Sequence, residues 1–268
     1  MDYIEAIKNR RSVRTFDKDK DMEESLLNVI KEFMNNQNNP FGINIEWKLL
    51  DASEYNLSSP VIVGEKYYIA GKLKKNELAE IAFGYEFEEI ILYLTSIGIG
   101  TTWIAGTMQR NIFEKAMELK EDELMPCVSP IGYPSNKLSL REKLMRKGIK
   151  ADSRLDFNNL FFKNNFNDNL DKEELDKYED ILNLVRIAPS AVNKQPWRIL
   201  IDNNLIHFYK KPSIKNDRGF DVQKIDIGIA MNHFVQGLKN KKMDYEFINS
   251  NPNIVIDDLE YIYSIKIK

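Results

Sequence analysis

Three short stretches recur in the same order along the chain, and this self-similarity constrains its folding more than any composition figure. Leu27-Asn28-Val29-Ile30-Lys31 matches Leu182-Asn183-Leu184-Val185-Arg186, each on a helical pattern that follows an acidic polar stretch. Trp47-Lys48-Leu49-Leu50 matches Trp197-Arg198-Ile199-Leu200, each reading as the opening of a short buried strand. Phe83, Phe87, Ile90, Ile91 and Leu94 keep the spacing of one helical face, and Ile227, Met231, Phe234, Val235 and Leu238 repeat it with Gly84 and Gly228 in register. Amphipathic helices share that spacing in general, so the prediction of an internal duplication rests on the collinearity of all three matches. The two halves are expected at residues 1–150 and 151–268, closely joined in one globular body. The first half is longer because of loops such as the Asn-rich run from Asn35 to Asn39, which lengthen at little entropic cost.

Periodicity predicts helices near 2–9, 22–34, 76–97, 109–118, 172–187 and 222–240. Strands are expected near 45–50, 101–104, 127–132, 198–202, 205–209, 244–249 and 260–267. The polar run Lys163 to Asn169 reads as part of a connector. Strands interspersed with helices, without strict alternation, predict an α+β fold in which each half is an antiparallel or mixed sheet packed with helices.

Composition then removes several classes of function. The 268 residues carry 38 Lys and Arg against 41 Asp and Glu, a net charge of −3 that offers no broad attraction to nucleic acid or an anionic membrane. One Cys and two His leave no parts for the usual zinc site and no intramolecular disulfide. The start is acidic and unlike a signal peptide, and no run of about 18 apolar residues occurs, so a cytoplasmic location is expected.

Two segments carry the densest polar chemistry. Arg10-Arg11-Ser12-Val13-Arg14, at the end of the first predicted helix, can converge several N–H donors on a phosphate or another small anion. Basic residues also gather in the last turn of helices, where they offset the macrodipole, and the cluster alone is compatible with either role. Ala188-Pro189-Ser190-Ala191-Val192-Asn193-Lys194-Gln195-Pro196-Trp197 stops a helix and delivers a strand. Its neutral hydroxyl and amide groups suit the edge of a heteroaromatic ring, although an ordinary helix-to-strand turn would use the same residue types. Gly98-Ile99-Gly100-Thr101-Thr102-Trp103-Ile104-Ala105-Gly106 closes a helix and opens a strand, which is the reverse of a dinucleotide fingerprint.

Arg10 to Phe16 and Ala188 to Arg198 together resemble the nitroreductase family of FMN-dependent oxidoreductases, and Gly98 to Gly106 and Ile131-Gly132-Tyr133-Pro134 add to the likeness. In that family both long motifs lie in one short chain that pairs with a second. Here one lies in each half, so the sequence is similar to a tandem-repeat branch in which one chain imitates the dimer. The resemblance implies a cofactor site for FMN formed by Arg10, Arg11, Ser12 and Arg14, by Trp103, Ile104, Ala105 and Gly106, and by Pro189, Ser190 and Asn193. Lys137 and Arg141 are further candidates for the phosphate, although the basic run through Lys143, Arg146 and Lys147 also reads as a solvated face. Arg14 would lie nearest N1, where a cation stabilises reduced flavin.

No protein side chain is expected to be catalytic and no metal is expected, since the chemistry would occur at flavin N5. NADH or NADPH would serve as transient electron donor and a nitroaromatic, quinone or similar small molecule as acceptor, in ping-pong order. At the place matching Pro189 to Trp197 the first half has Pro40 to Trp47 with Ile45-Glu46 in place of Gln195-Pro196, and the second half lacks an Arg-Arg-Ser-x-Arg motif. One flavin site per chain, needing no dimerisation, follows from those losses. The alternative is a flavin-binding or vestigial ligand-binding protein without useful turnover. Cys127 in its apolar setting reads as an inert buried thiol, and His207 and His233 lack the partners of a catalytic triad.

Overall fold

The computed structural model describes residues 2–136, 139–215, 219–254 and 256–268, without the side chains of Leu140 and Arg141. The chain divides into two compact units, residues 1–151 and 152–268. It is an α+β protein with one sheet in each unit.

Unit 1 begins with α1 (Tyr3–Asn9), started by Asp2, whose carboxylate accepts the Glu5 N–H. It continues through α2 (Glu24–Asn35), β1 (Ile45–Asp51), β2 (Tyr67–Lys74), α3 (Ala79–Ser96), β3 (Gly100–Thr101), α4 (Arg110–Ala116), β4 (Glu123–Leu124), β5 (Val128–Gly132) and α5 (Leu140–Gly148). The strands pair antiparallel in the order β1-β2-β5-β3, and β4 adds to β2. Trp47 packs over Gly71 across the β1–β2 pair, where a Cβ on residue 71 would lie 2.4 Å from the indole, so only glycine fits. One core cluster gathers Val13, Phe16, Leu50, Tyr68, Ile104, Phe113 and Val128, and another stacks Trp47, Phe83, Phe87 and Trp103. The outer edge of β1 has no strand partner among the described residues.

Unit 2 contains β6 (Phe161–Lys163), α6 (Lys172–Arg186), β7 (Trp197–Asp202), β8 (Leu205–Lys210), α7 (Val222–Asn240), β9 (Tyr245–Ile248) and β10 (Glu260–Ile267). The sheet order is β6-β7-β8-β10-β9, mixed because β6 runs parallel to β7 while the other pairs are antiparallel. Asp171 and Asp221 cap α6 and α7, each carboxylate accepting two N–H groups of the first turn. α6 presents Tyr178, Ile181, Leu182 and Val185 to the core.

Three expectations need correction. The helices over 76–97 and 222–240 form as α3 and α7, but neither is amphipathic. Both are buried around almost their whole circumference, including Glu86 and Glu88 in one and Asp226, Asn232 and His233 in the other. The strand expected at 101–104 ends at Thr101, and Ile104 makes only an isolated bridge to Val128. Part of the expected connector is strand: Phe161, fully buried, starts β6, and Lys163 ends it. The basic run after Pro134 keeps Lys143 and Lys147 exposed, as a solvated face would, on helix α5, which Ser139 caps by accepting the Glu142 N–H and which turns Glu142 inward. Two further elements, β2 and β4, were not expected. Among the described residues, no helix is long and apolar enough to cross a membrane.

Candidate functional site

In unit 1 the segment from Arg10 to Asp17 is laced into the fold by backbone pairing. The Val13 N–H donates to Thr101 (2.8 Å), the Phe16 N–H to Val63 (2.8 Å) and the Asp17 N–H to Tyr133 (2.9 Å), while Arg14 accepts from the Val63 N–H (2.9 Å). Gly64 makes the approach possible. With φ +83° and a virtual Cβ 2.5 Å from the Phe16 carbonyl oxygen, it admits no side chain. The segment is therefore a fixed strip, and its alternate side chains have defined surroundings.

Arg10 turns inward. Its side chain is 8% exposed, its Nε lies 3.9 Å from a Glu88 carboxylate oxygen, and its Nη1 is buried without a hydrogen-bond partner. The other Glu88 oxygen accepts from the Trp103 indole N–H at 3.0 Å. One buried carboxylate on α3 thus joins Arg10 to Trp103, bringing together two residues that the sequence places far apart. Arg14 is also buried, and burial pushes its guanidinium below the ordinary arginine range; Glu142 opposes that shift, while Arg146 and Arg10 reinforce it. Burial likewise lowers Arg10, with Glu88 opposing and Arg146 reinforcing. Arg11 is more exposed and lies 3.9 Å from a Glu142 oxygen.

Glu142 is the acid within this cationic group. Its side chain is 1% exposed. One oxygen accepts from the Thr15 hydroxyl at 2.9 Å, and the other is buried without a hydrogen bond. Ser12 pairs with Thr101 through an isolated bridge, which keeps it on the same strip. Lys137 lies outside the described residues, as does the side chain of Arg141, whose backbone belongs to α5.

The segment from Ile104 to Gly106 is braced from α4. Arg110 donates to the carbonyls of Ala105 (2.9 Å), Met125 (2.6 Å) and Pro126 (3.0 Å). The N–H and C=O of Ile104 are both taken by Val128, so the polar backbone this stretch can offer a ligand comes from Ala105 and Gly106.

In unit 2 the loop from Pro189 to Gln195 is prearranged by its own groups. Ser190 Oγ accepts from the Gln195 N–H (2.9 Å), and Asn193 donates to the Ser153 carbonyl (3.0 Å). The Gln195 side-chain oxygen accepts from the Leu155 N–H (2.9 Å). Val192, Asn193 and Gln195 all have positive φ, at 44°, 57° and 48°. Asn tolerates this cheaply, whereas β-branched Val192 does not. What holds the loop is Asp226 on α7, whose two oxygens lie 3.0 and 3.1 Å from the Ala191 N–H. Burial raises the Asp226 carboxyl well above the carboxylate range, and the Ala191 N–H opposes that shift.

Sequence reasoning missed Glu88, Glu142, Arg110 and Asp226. Only Glu142 left a signal, as the fourth residue of Ser139-Leu140-Arg141-Glu142, a helix-start pattern. The other three are polar residues inside helical stretches, and only the fold shows which of them point inward.

The residues of unit 1 fit a phosphate-bearing cofactor. Buried guanidinium groups without full compensation, one of them with an orphaned Nη1, form a donor set for an anion.

A family model described as "Putative TM nitroreductase" matches residues 2–238. No curated protein matches the chain. Among solved structures, a "putative nitroreductase" from Thermotoga maritima superimposes with a TM-score of 0.65 at 23% identity, over 99% of this chain and 94% of that one, which is a likeness of fold. A nitroreductase with bound FMN from Bacteroides fragilis reaches a TM-score of 0.42 at 17% identity, over 52% of this chain and 92% of that one. An FMN-dependent nitroreductase from Clostridium difficile gives 0.42 at 17%, over 50% and 88%. Since the family match runs from residue 2 to residue 238 of a 268-residue chain, this protein belongs to the TM nitroreductase family.

Proposed function

We propose that this chain is an FMN-dependent NAD(P)H oxidoreductase of the nitroreductase type, arising from an internal duplication and holding one FMN per chain. The reading is carried by the Arg10 to Arg14 strip, in which buried cations are locked in place and one buried donor of Arg10 has no partner. Family membership and the motif resemblance of the Ser190 to Asn193 loop add to it. When bound, FMN would supply hydride acceptance at N5 and electron delivery to a nitroaromatic, quinone or similar acceptor.

The protein's own groups then bind and orient. Arg10, Arg11 and Ser12 supply donors for the phosphate and ribityl chain. Arg14, a buried cation, favours negative charge at the pyrimidine edge. Ala105 and Gly106 offer backbone N–H groups. Pro189, Ser190 and Asn193 are assigned to the same cofactor by the motif resemblance, and Lys137 and Arg141 to its phosphate. No residue is assigned as acid, base or nucleophile.

The test begins with the absorption spectrum and flavin stoichiometry of the purified protein, together with its molar mass in solution. NADH or NADPH oxidation should follow parallel lines in double-reciprocal plots against the acceptor. Arg14→Ala should weaken FMN binding by about 1.5–3 kcal/mol, and Asn193→Ala by about 0.5–1.5 kcal/mol. A yellow protein that oxidises neither nicotinamide with any acceptor supports the second reading, a flavin-binding protein without turnover. A colourless protein that takes up no FMN overturns both.

A further inference from the structure

Unit 2 contains a cavity of about 370 Å³ that none of the flavin candidates lines. At its wall is Arg198, the second residue of β7. Strand alternation sends Trp197 and Ile199 to one face of the sheet and Arg198 to the other. Arg198 Nη1 donates to the carbonyls of Gln195 (3.1 Å) and Trp197 (2.6 Å), so the guanidinium is held by its own turn through a single nitrogen. Among the described residues no carboxylate forms an ion pair with it. Burial lowers its pKa. A partly buried guanidinium that keeps donors to spare and lacks a counter-charge is in the state a bound anion relieves.

The rest of the lining says what kind of anion. Phe162 and Phe166 stand side by side with ring centroids 5.3 Å apart, and Phe166 is braced edge-on against Tyr209 at 4.8 Å. Leu155 and Leu259 extend the apolar wall. This wall suits a flat apolar body and gains nothing from a bare inorganic ion. Exposed Asp257 and Asp258 also line the cavity. They are placed to repel a dianion more than a monoanion, and Lys211 adds one further cation.

We propose that this cavity is a binding site for a small aromatic monocarboxylate, with the Arg198 fork on the carboxylate and Phe162 and Phe166 against the ring. The site is independent of the flavin reading, since no residue assigned to FMN takes part. It gives unit 2 a ligand of its own.

The experiment titrates benzoate into the purified full chain by calorimetry, with benzyl alcohol and inorganic phosphate as controls. Benzoate is expected to bind with one site per chain, and both controls at least about tenfold more weakly, a difference of about 1.4 kcal/mol. Arg198→Met should weaken benzoate about tenfold or more, and Phe162→Ala, which touches no residue of the Ser190 loop, should weaken it without changing FMN content. Arg198→Lys, which keeps the charge but not the fork and serves if the Met variant does not fold, should weaken it several-fold. Asp258→Asn should narrow the preference over phosphate. Failure of benzoate to bind, equal binding of phosphate, or unchanged benzoate affinity in both Arg198 variants would each overturn the proposal. Loss of FMN with benzoate binding intact would instead count against the flavin reading alone.

Discussion

Trp47 in β1 and Trp197 at the start of β7 each bury an indole, yet the two indole nitrogens are treated differently. Trp47 Nε1 donates to a Glu86 oxygen at 2.6 Å, and the second Glu86 oxygen accepts from Asn39 at 2.7 Å. Trp197 Nε1 is buried with no hydrogen-bond partner. The contrast extends outward. In unit 1 the buried acids Glu86, Glu88 and Glu142 each tie a distant segment to the core through a side-chain donor. In unit 2 the indole of Trp197, Nε2 of His207 and the hydroxyls of Tyr178 and Tyr209 are buried without partners, and Asp226 receives a backbone N–H. Unit 1 thus rests on buried acid–donor pairs, with Arg10 Nη1 and one Glu142 oxygen left over, and unit 2 more on apolar packing around unpaired polar atoms. The unit that uses acids is the one carrying the arginine strip.

The largest test of this contrast is Glu88→Ala. It leaves the Arg10 guanidinium buried without its acid and the Trp103 N–H without its acceptor, and should cost about 3–5 kcal/mol. Denaturant unfolding of the variant checks it, and a loss near zero would mean that the acid pairs do not hold unit 1 together. Next comes the tryptophan pair. Trp47→Phe removes a donor from a buried carboxylate, whereas Trp197→Phe removes a donor that had no acceptor. The first should therefore cost about 1.5–3 kcal/mol more than the second, and equal losses would break the comparison.

Two smaller effects follow pH. The folded-state pKa of Asp226 is raised above the unfolded value of about 3.9, so its contribution is full below that pH and is lost as pH rises through the folded pKa. Asp226→Asn keeps an acceptor for Ala191 and should be more stable than the parent at neutral pH, with the gain fading toward acid. Melting curves across pH measure it. For His207 the sign is reversed. Burial lowers its pKa, so the stability present above about pH 6.5 falls as pH drops through the folded value. His207→Leu should flatten that acid limb while leaving Ser264 bonded to Tyr261 (2.8 Å), and an unchanged limb would assign the acid loss elsewhere.

The sequence made much of the fold legible, because buried faces repeat with the period of the element that carries them. Phe83 to Leu94 and Ile227 to Leu238 mark helices that are there, and Trp47 and Trp197 mark β1 and β7. β2 escaped because its interior carries Gly71 and Lys72, residues depleted in strands. Gly71 is required by the indole above it, and Lys72 is buried against Glu46 and Glu123, each at 3.4 Å. β6, two phenylalanines and the first lysine of the polar run, escapes because three residues are too few to show a period. At the candidate site the arginines and the Ser190 loop were visible because their composition is unusual. The acids that position them were not, because a lone Glu or Asp in a helix reads the same whether it faces water or the core.

The edge of β1 that has no strand partner among the described residues bears on the behaviour of this protein at high concentration. A strand edge with free N–H and C=O groups invites other chains to add to it and begin ordered aggregates. β1 carries Glu46 and Lys48 two residues apart, paired at 3.7 Å, and a chain adding there would have to desolvate both charges. Replacing Lys48 by valine removes one of those charges while leaving Glu46 to pair with the buried Lys72, and makes the edge easier for a growing fibre to use.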